Sequence, residues 1–412
     1  MISFEKFILQ NGLKVLVHED ASTPLVCVNI VYNVGSKHED PNHTGFAHLF
    51  EHLMFGGSKN IPDFDEPLQL AGGENNAFTN NDLTNFYDIV PAENIETVFW
   101  LESDRMMSLN LNSKVLKTQK QVVIEEFKET CLNEPYGDFW HHMSEMAYQQ
   151  HPYHWPTIGK DISHIESATI DQVKTFFETF YTPDNAVLVV AGKTTFEQVK
   201  FLAEKWFGDI PPGQKTKKII TAEPLQHEFR SKKIISDVPH DAIYLSFPMS
   251  GRLDKEYYVM DLITDLLANG RSSRFYKNLY KGKKMFNTID AFISGYVDPG
   301  LCIIEGKIMP DFSIDEARDA IWEELFDIQT KGISDNELAR LRNTLESSLI
   351  YSEVSILNKA ILLAFFASLG KEEWINEEAG LYQSITKEDI QETAKKIFVH
   401  HQCNELVYQK LT

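Results

Sequence analysis

The second half of this sequence repeats the pattern of the first half, and this repeat limits the possible folds more than any other feature. The apolar segment Phe46–Met54 returns about 213 positions later as Tyr258–Leu267. Two further pairs follow in the same order: Thr169–Val173 with Thr386–Ile390, and Val187–Val190 with Glu405–Tyr408. A chain of 412 residues is also too long for a single hydrophobic core. We therefore expect two copies of one structural unit.

Each copy combines strand patterns with helical patterns. Residues 12–19 alternate apolar and polar side chains, as a half-buried strand does, whereas Val26–Val31 is more continuously apolar. In the first half we predict strands at 12–19, 25–34 and 185–190, a β-like run at 77–90, and helices at 91–109, 113–146 and 170–180. The predicted fold class is α+β, with two homologous α/β-roll domains, each a mixed sheet flanked by helices, related by internal duplication.

A stretch rich in proline, glycine and lysine separates the two copies. It runs through residues 211–218 and has the composition of a linker. The predicted domains are therefore residues 1–212 and residues 219–412.

Composition excludes some classes of function. The formal net charge of −21 argues against binding to a nucleic-acid backbone, which requires clustered lysine and arginine. No apolar run is long enough for a membrane span. The first residues lack a secretory signal, so we expect a cytoplasmic protein, or a periplasmic one if a signal has been removed. Cys27 and Cys302 lie in apolar strand-like runs, which indicates buried free thiols.

Five residues of the first copy, His48-Leu49-Phe50-Glu51-His52, form the pattern H-x-x-E-H. On a helix, residues four apart lie on one face, one turn apart, so His48 and His52 can hold one metal ion. Glu51 lies beside them and can reach a water at that metal. The counterparts in the second copy are Asp261, Thr264 and Asp265, so we predict the metal site in the first copy alone. A catalytic zinc has three protein ligands and one open position, which leaves a third ligand to find.

Three carboxylates on the predicted helix that follows are candidates for the third ligand. Glu125 and Glu126 are adjacent, and successive helical residues are separated by about 100°, so only one of the two can face the motif squarely. Glu129 lies one turn further on and is either an alternative ligand or a residue that supports one. Geometry alone leaves these alternatives open.

The motif followed some seventy residues later by Val122-Val123-Ile124-Glu125-Glu126 resembles the pitrilysin family of zinc peptidases. More narrowly, the chain resembles the branch of about 400 residues that includes bacterial homologues of the mitochondrial processing peptidase. The resemblance implies that the second glutamate of the pair, Glu126, is the third zinc ligand, with Glu125 and Glu129 as supporting residues. It also implies one Zn²⁺ per chain and Glu51 as the general base.

A second matching stretch, Gly72–Thr79, resembles the edge strand on which this family binds its substrates. The resemblance implies that an Asn-Ala pair bonds the peptide backbone, and the predicted substrate contacts are Asn76, Ala77, Phe78 and Thr79. Phe55, just after the motif, has two interpretations: it lines the pocket for the residue after the scissile bond, or it belongs to the core.

The chain departs from the family pattern in its second half. Active members place an arginine and a tyrosine seven residues apart after a segment like Ser272–Tyr276, where they stabilise the reacting substrate. The corresponding residues here are Tyr280 and Asn287, and Gln119 stands where the family often has a glutamate. The family includes heterodimers in which one chain keeps the zinc and its partner supplies the arginine and the tyrosine.

The resemblance therefore implies a zinc-dependent endopeptidase that cleaves unfolded peptides, as the zinc-bearing subunit of a heterodimer. Two alternatives stand beside it. One is a self-sufficient homodimeric peptidase, and the other is a non-catalytic scaffold of the respiratory-complex core-protein type. Such scaffolds typically lose zinc ligands, whereas the candidate ligands are present here.

Overall fold

A computed structural model describes residues 1–213 and 219–411 of the chain. Residues 214–218 of the predicted linker therefore lie outside the described residues. The structure contains two sheets flanked by helices, which confirms the predicted α+β class.

The strands form the two sheets separately. The first sheet, in the described part of the chain, has the order β1-β2-β6-β3-β5-β4, and the second has the order β7-β11-β8-β10-β9. The strands are β1 Glu5–Ile8, β2 Lys14–Glu19, β3 Leu25–Tyr32, β4 Glu74–Thr79, β5 Thr84–Pro91, β6 Ala186–Gly192, β7 Arg230–Ser236, β8 Ala242–Met249, β9 Phe286–Ile293, β10 Gly300–Ile308 and β11 Asn404–Lys410.

The two sheets share one topology, as the internal duplication predicts. In the first sheet β2 pairs with β6 in parallel, and β6, β3, β5 and β4 then pair antiparallel in that order. In the second sheet β7 pairs with β11 in parallel, and β11, β8, β10 and β9 then pair antiparallel. Apart from the additional β1, each strand of one sheet has a counterpart in the other, and both sheets are mixed.

The helices follow the same duplication. Threonines 169 and 386 each begin a helix with the same reciprocal hydrogen bonds between the capping residue and the third helical residue. The helices are α1 Phe46–Phe55, α2 Asp65–Leu70, α3 Ile95–Met107, α4 Ser113–Phe127, α5 Phe139–Ala147, α6 Ile162–Glu166, α7 Ile170–Phe180, α8 Phe196–Phe207, α9 Lys255–Leu267, α10 Ile314–Lys331, α11 Asp335–Ser352, α12 Ile356–Ser368, α13 Trp374–Ser384 and α14 Lys387–Ile397. Two π-helical segments, Lys128–Asn133 and Phe275–Gly282, accompany them.

Both faces of the first sheet are buried, which explains the nearly continuous apolar run in β3. Val26, Val28 and Ile30 pack into the core beneath α1, α3 and α8. Cys27 and Val31 point to the opposite face, because successive strand residues alternate. That face is covered by α12, with Phe366 and its neighbours in the same cluster.

The chain groups into two compact units, each discontinuous in sequence. The first unit comprises Met1–Lys128, Trp155–Ile220 and Leu349–Glu377, and the second comprises Glu129–His154, Thr221–Ser348 and Glu378–Thr412. Residues 129–154 and 349–377 therefore lie outside the unit in which the predicted boundaries 1–212 and 219–412 place them. The physical reason is the demand for apolar cover: α12 buries one face of the first sheet, and α5 packs into the core of the second.

Two predicted elements are divided in the structure. The helix predicted over residues 113–146 was wrong as one element, because α4 and α5 are separated by a π-helical segment and a turn. Tyr136 adopts a positive φ of 64° in that turn, directly after Pro135, whose ring disfavours a continuing helix. The β-like run 77–90 is likewise a hairpin of β4 and β5 rather than one strand.

The four cysteines are buried and form no disulfide within the described residues, as predicted for Cys27 and Cys302.

In residues 1–213 and 219–411, no single helix has both the length and the apolar character of a membrane span, although the bent pair α11 and α12 passes that test together.

Candidate metal centre

The H-x-x-E-H motif lies on α1, which leaves the motif on one partly exposed face. Phe46, Leu49, Phe50 and Leu53 are buried, whereas residues 48, 51, 52 and 55 are partly exposed. The spacing of these four positions is that of a single helical stripe. The apolar residues therefore anchor α1 in the core and turn the two imidazoles and the carboxylate outward.

The beginning of α1 is fixed by a buried carboxylate that the sequence did not indicate. Glu39 is 1% exposed, and its two oxygens accept hydrogen bonds from the backbone N–H groups of Gly45 at 2.9 Å and Ala47 at 2.8 Å. A negative charge at this end of a helix satisfies free donors and complements the helix dipole. Gly45 has a φ of 86°, and a Cβ there would lie 2.8 Å from the backbone oxygen of Ile158. The Glu39 hydrogen bonds and the backbone conformation of Gly45 therefore fix the position at which α1 begins.

Three side chains converge on one point at the exposed face of α1. The Nε2 atoms of His48 and His52 are 3.3 Å apart, and the Glu126 carboxylate on α4 lies 3.6 Å from the first and 3.3 Å from the second. A tetrahedron with ligand bonds of about 2.1 Å has edges of about 3.4 Å, so these donor separations fit a zinc ion. In the described parts of the chain, no other group of three histidine, cysteine or acidic side chains meets the same geometry.

The protonation states also suit metal binding. Burial lowers the pKa of His48 to about 4, with His52 acting in the same direction and Glu126 opposing it. The hydrogen bond with His52 lowers the pKa of Glu126. His48 is therefore neutral and Glu126 ionised near pH 7, which are the forms that bind a metal. The buried Nδ1 of His48 has no hydrogen-bond partner within residues 1–213 and 219–411.

Glu51 adjoins the cluster and makes a contact with the edge strand. Its Oε2 accepts a hydrogen bond of 2.6 Å from the hydroxyl of Thr79. Burial raises the pKa of Glu51 above its ordinary value, and the Thr79 hydrogen bond acts in the opposite direction. A half-buried carboxylate with a raised pKa beside a group of candidate metal ligands has the features of a general base.

The other candidates near the third ligand lie elsewhere. The Glu125 side chain is 72% exposed and pairs with Lys128 at 2.7 Å. The rotation between successive helical residues turns it away from the face that Glu126 occupies, and its supporting role stays a prediction. Glu129 is exposed and lies in the π-helical segment after α4, and its supporting role stays a prediction.

The predicted substrate strand is β4, the edge of the first sheet. Its side chains alternate, with Asn76 and Phe78 exposed and Ala77 and Thr79 half-buried. The Asn76 side chain accepts a 2.8 Å hydrogen bond from the backbone N–H of Ala77. The strand therefore offers an open edge, although the roles of these residues in substrate binding stay predictions.

Phe55 is placed among other aromatic rings. Its centroid lies 6.3 Å from that of Phe64 and 6.0 Å from that of Phe86, and it packs against the core of the first unit. Arg105 is buried beneath these rings, with its guanidinium 4.4 Å from the centroids of Phe64 and Phe86. These contacts agree with the interpretation of Phe55 as a core residue. Its interpretation as a residue that lines the substrate pocket stays a prediction.

The corresponding helix of the second copy, α9, carries no such cluster in the described residues. Asp261, at the position of His48, accepts a 2.5 Å hydrogen bond from the hydroxyl of Tyr382. Tyr280 is 43% exposed and stacks on Tyr276, and Asn287 is an exposed residue of β9. Position 280 therefore carries no arginine and position 287 carries no tyrosine, which are the residues that the family pattern expects there.

Two family models match consecutive parts of the chain. Residues 14–161 match the model described as insulinase (peptidase family M16), and residues 167–345 match the model described as peptidase M16 inactive domain. The motif on α1 and Glu126 lie within the first match. Together the two matches cover most of the chain.

The chain is also similar to proteins named as zinc proteases. Zinc protease PqqE of Helicobacter pylori is 31% identical over 288 residues, which cover 68% of this chain and 64% of the length of that relative. The uncharacterized zinc protease YmxG of Bacillus subtilis is 25% identical over 405 residues, covering 96% of this chain and 95% of the relative. A probable mitochondrial-processing peptidase subunit beta of Arabidopsis thaliana is 23% identical over a match that covers 83% of this chain and 66% of that relative.

A solved structure has the same fold over nearly the whole chain. The crystal structure of a protease from Helicobacter pylori superposes with a TM-score of 0.94 at 25% identity, covering 99% of this chain and all of that one. The fold of each sheet with its flanking helices is therefore shared with that protease.

Proposed function

We propose that this chain, which belongs to peptidase family M16, is a zinc-dependent endopeptidase that acts on unfolded peptides. The observation that carries the proposal is the convergence of His48, His52 and Glu126 at tetrahedral separations, with the Glu51 carboxylate beside them. Each chain would hold one Zn²⁺.

The proposed chemistry divides into roles for these side chains. When bound, zinc lowers the pKa of a water molecule to about 7 and polarises the peptide carbonyl. The neutral imidazoles of His48 and His52 contribute lone pairs, and Glu126 contributes the negative charge of the site. Glu51 takes the proton from the attacking water and later delivers it to the leaving amine.

The edge strand β4 supports the choice of substrate. An extended peptide can add to an unpaired strand edge through backbone hydrogen bonds, which depend little on side-chain identity. Asn76, Ala77 and Phe78 would provide this contact at the edge of the first sheet. Only an unfolded segment can present its backbone in this way, so we expect broad specificity for unfolded peptides.

The residues at positions 280 and 287 are the reason for proposing a partner chain. One donor to the developing oxyanion is worth about 3–4 kcal/mol, or roughly 100- to 1000-fold in rate. Tyr280 and Asn287 replace the arginine and the tyrosine that the family resemblance implies, so we propose that a homologous second chain supplies them. The chain would then be the zinc-bearing subunit of a heterodimer.

Two alternatives remain to be distinguished. A homodimer that uses other donors would hydrolyse peptides without any partner. A non-catalytic scaffold would agree with the match to the inactive-domain model, but that match covers residues 167–345, which exclude the three candidate ligands and Glu51. The presence of all four residues favours an enzyme.

Peptide hydrolysis by three zinc-loaded proteins tests the proposal: the natural chain, Glu51→Gln, and the double variant Tyr280→Arg with Asn287→Tyr. Each is incubated with a mixed pool of unfolded peptides, and zinc is counted per chain. A heterodimer subunit predicts one zinc per chain, little turnover by the natural chain and a gain of turnover in the double variant. Turnover of the natural chain well above Glu51→Gln would instead support the homodimer. Failure to bind zinc after metal is supplied would overturn the peptidase proposal.

A further inference from the structure

Thr79 is one of the residues of β4 predicted to contact substrate, and its side chain contacts another residue of this chain. It is the last residue of β4 and shares the half-buried face with Ala77, while Asn76 and Phe78 lie on the exposed face. The half-buried face of β4 packs against α1. The Thr79 hydroxyl is therefore placed toward the motif helix.

The hydroxyl makes one short hydrogen bond there. Thr79 Oγ1 lies 2.6 Å from Glu51 Oε2, and an ionised carboxylate can only accept, so the hydroxyl is the donor. Such charge-assisted bonds are shorter and stronger than neutral ones. One oxygen of Glu51 is thereby held, which leaves Oε1 to receive a proton.

Thr79 and Glu51 are both held in place by contacts with one segment of the first unit, residues 35–47. The turn after β4 accepts hydrogen bonds from the backbone N–H of Ser36 at Asn80 (3.2 Å) and from that of Lys37 at Asn81 (3.0 Å). Gly35 lies so close to this turn that a Cβ there would be 2.4 Å from the Asn80 oxygen. A few residues later, Glu39 holds the first turn of α1. The segment 35–47 thus sets the position of Thr79 and of Glu51 relative to each other.

We propose that Thr79 is a positioning residue that orients Glu51 and links this base to the strand on which the peptide pairs. The inference rests on the proposed peptidase function and gives Thr79 a role distinct from substrate contact. A peptide that adds to the open edge of β4 lies on the strand whose last side chain holds the base. The Thr79 hydroxyl then fixes the position of the Glu51 carboxylate relative to the bound peptide.

Three substitutions separate positioning from other roles. Thr79→Val removes the hydroxyl and keeps the shape, Thr79→Ser keeps the hydroxyl, and Thr179→Val is the matched control. Thr179 lies on α7, is partly exposed, and also donates a 2.6 Å hydrogen bond, to the backbone oxygen of Thr175. Glu51→Gln provides the blank in a preparation that hydrolyses peptides, with the partner chain if turnover requires it.

We expect Thr79→Val to lower kcat by about 10- to 100-fold, as loss of a residue that orients a reacting group does, with KM changed by less than about threefold. Thr79→Ser should recover most of kcat, and Thr179→Val should match the natural chain. Zinc content and the thermal midpoint should be unchanged in Thr79→Val. A labelled peptide should bind equally to zinc-loaded Glu51→Gln and to Glu51→Gln with Thr79→Val.

Other results would overturn the inference. Higher KM at constant kcat, or weaker peptide binding in the double variant, would make Thr79 a substrate contact. Natural kcat in Thr79→Val, or no recovery in Thr79→Ser, would remove the positioning role while the inactivity of Glu51→Gln still supported the peptidase. Equal turnover by Glu51→Gln and the natural chain would instead overturn the proposed function itself.

Discussion

Replacing each candidate third ligand by alanine tests the geometry of the metal centre directly. Glu126→Ala removes one of the three candidate ligands and the single negative charge among them. Structural zinc sites with four ligands bind with about 10–16 kcal/mol, so one ligand accounts for about 3 kcal/mol, or roughly 100-fold in Kd. Alanine preserves the helix, so α4 should stay intact.

The neighbouring glutamates provide matched controls. Glu125→Ala removes an exposed ion pair with Lys128, which contributes about 0–1 kcal/mol to stability and does not belong to the cluster. Glu129→Ala changes an exposed residue. For Glu125→Ala we expect zinc affinity within about twofold of the natural chain, because the Glu125 side chain pairs with Lys128. For Glu129→Ala we expect a smaller loss of affinity than for Glu126→Ala, because Glu129 is not one of the three candidate ligands.

The assay is competition for zinc against a fluorescent chelator near pH 7.5, with thermal unfolding measured in parallel. The reasoning would be refuted if Glu125→Ala or Glu129→Ala weakened zinc binding as much as Glu126→Ala did. It would also fail if Glu126→Ala bound zinc within about threefold of the natural affinity.

Three further predictions concern stability. Gly35→Ala places a Cβ 2.4 Å from a backbone oxygen of the β4–β5 turn and should lower the free energy of unfolding in urea by about 1–3 kcal/mol. Gly380→Ala has open space around its Cβ and should be neutral or slightly stabilising, so equal losses would contradict the close approach. Phe366→Ala removes a fully buried ring of α12 and should cost about 3–5 kcal/mol by the same titration; a loss below about 1 kcal/mol would show that α12 does not hold the first sheet. The hydrogen bond from Lys359 at 2.8 Å lowers the pKa of Asp20, so this carboxylate stabilises the fold above its unfolded pKa of about 3.9 and loses that effect as pH falls through the folded value. The difference in urea midpoint between the natural chain and Asp20→Asn should therefore shrink from about pH 6 to about pH 2, and a constant difference would contradict the pairing.

Much of the fold could be predicted because its patterns are local. The strand at β2, the more deeply buried strand at β3 and the helix at α7 each carry their own periodicity or cap. The break between α4 and α5 was missed, although Pro135 marked it, because both sides have helical composition. The cover of the first sheet by α12 was also missed, since no local pattern shows which face of a sheet a distant helix will bury.

The sequence by itself determined the duplication and the grouping of His48, Glu51 and His52, because residues within one helical turn are neighbours in any structure that contains the helix. The tertiary structure decided what depended on distant parts of the chain. It selected Glu126 over Glu125 by the face that α4 presents to α1, and it joined Thr79 to Glu51 across 28 residues. Such contacts arise only when sheets and helices pack, because burial of apolar faces sets how neighbouring elements are oriented.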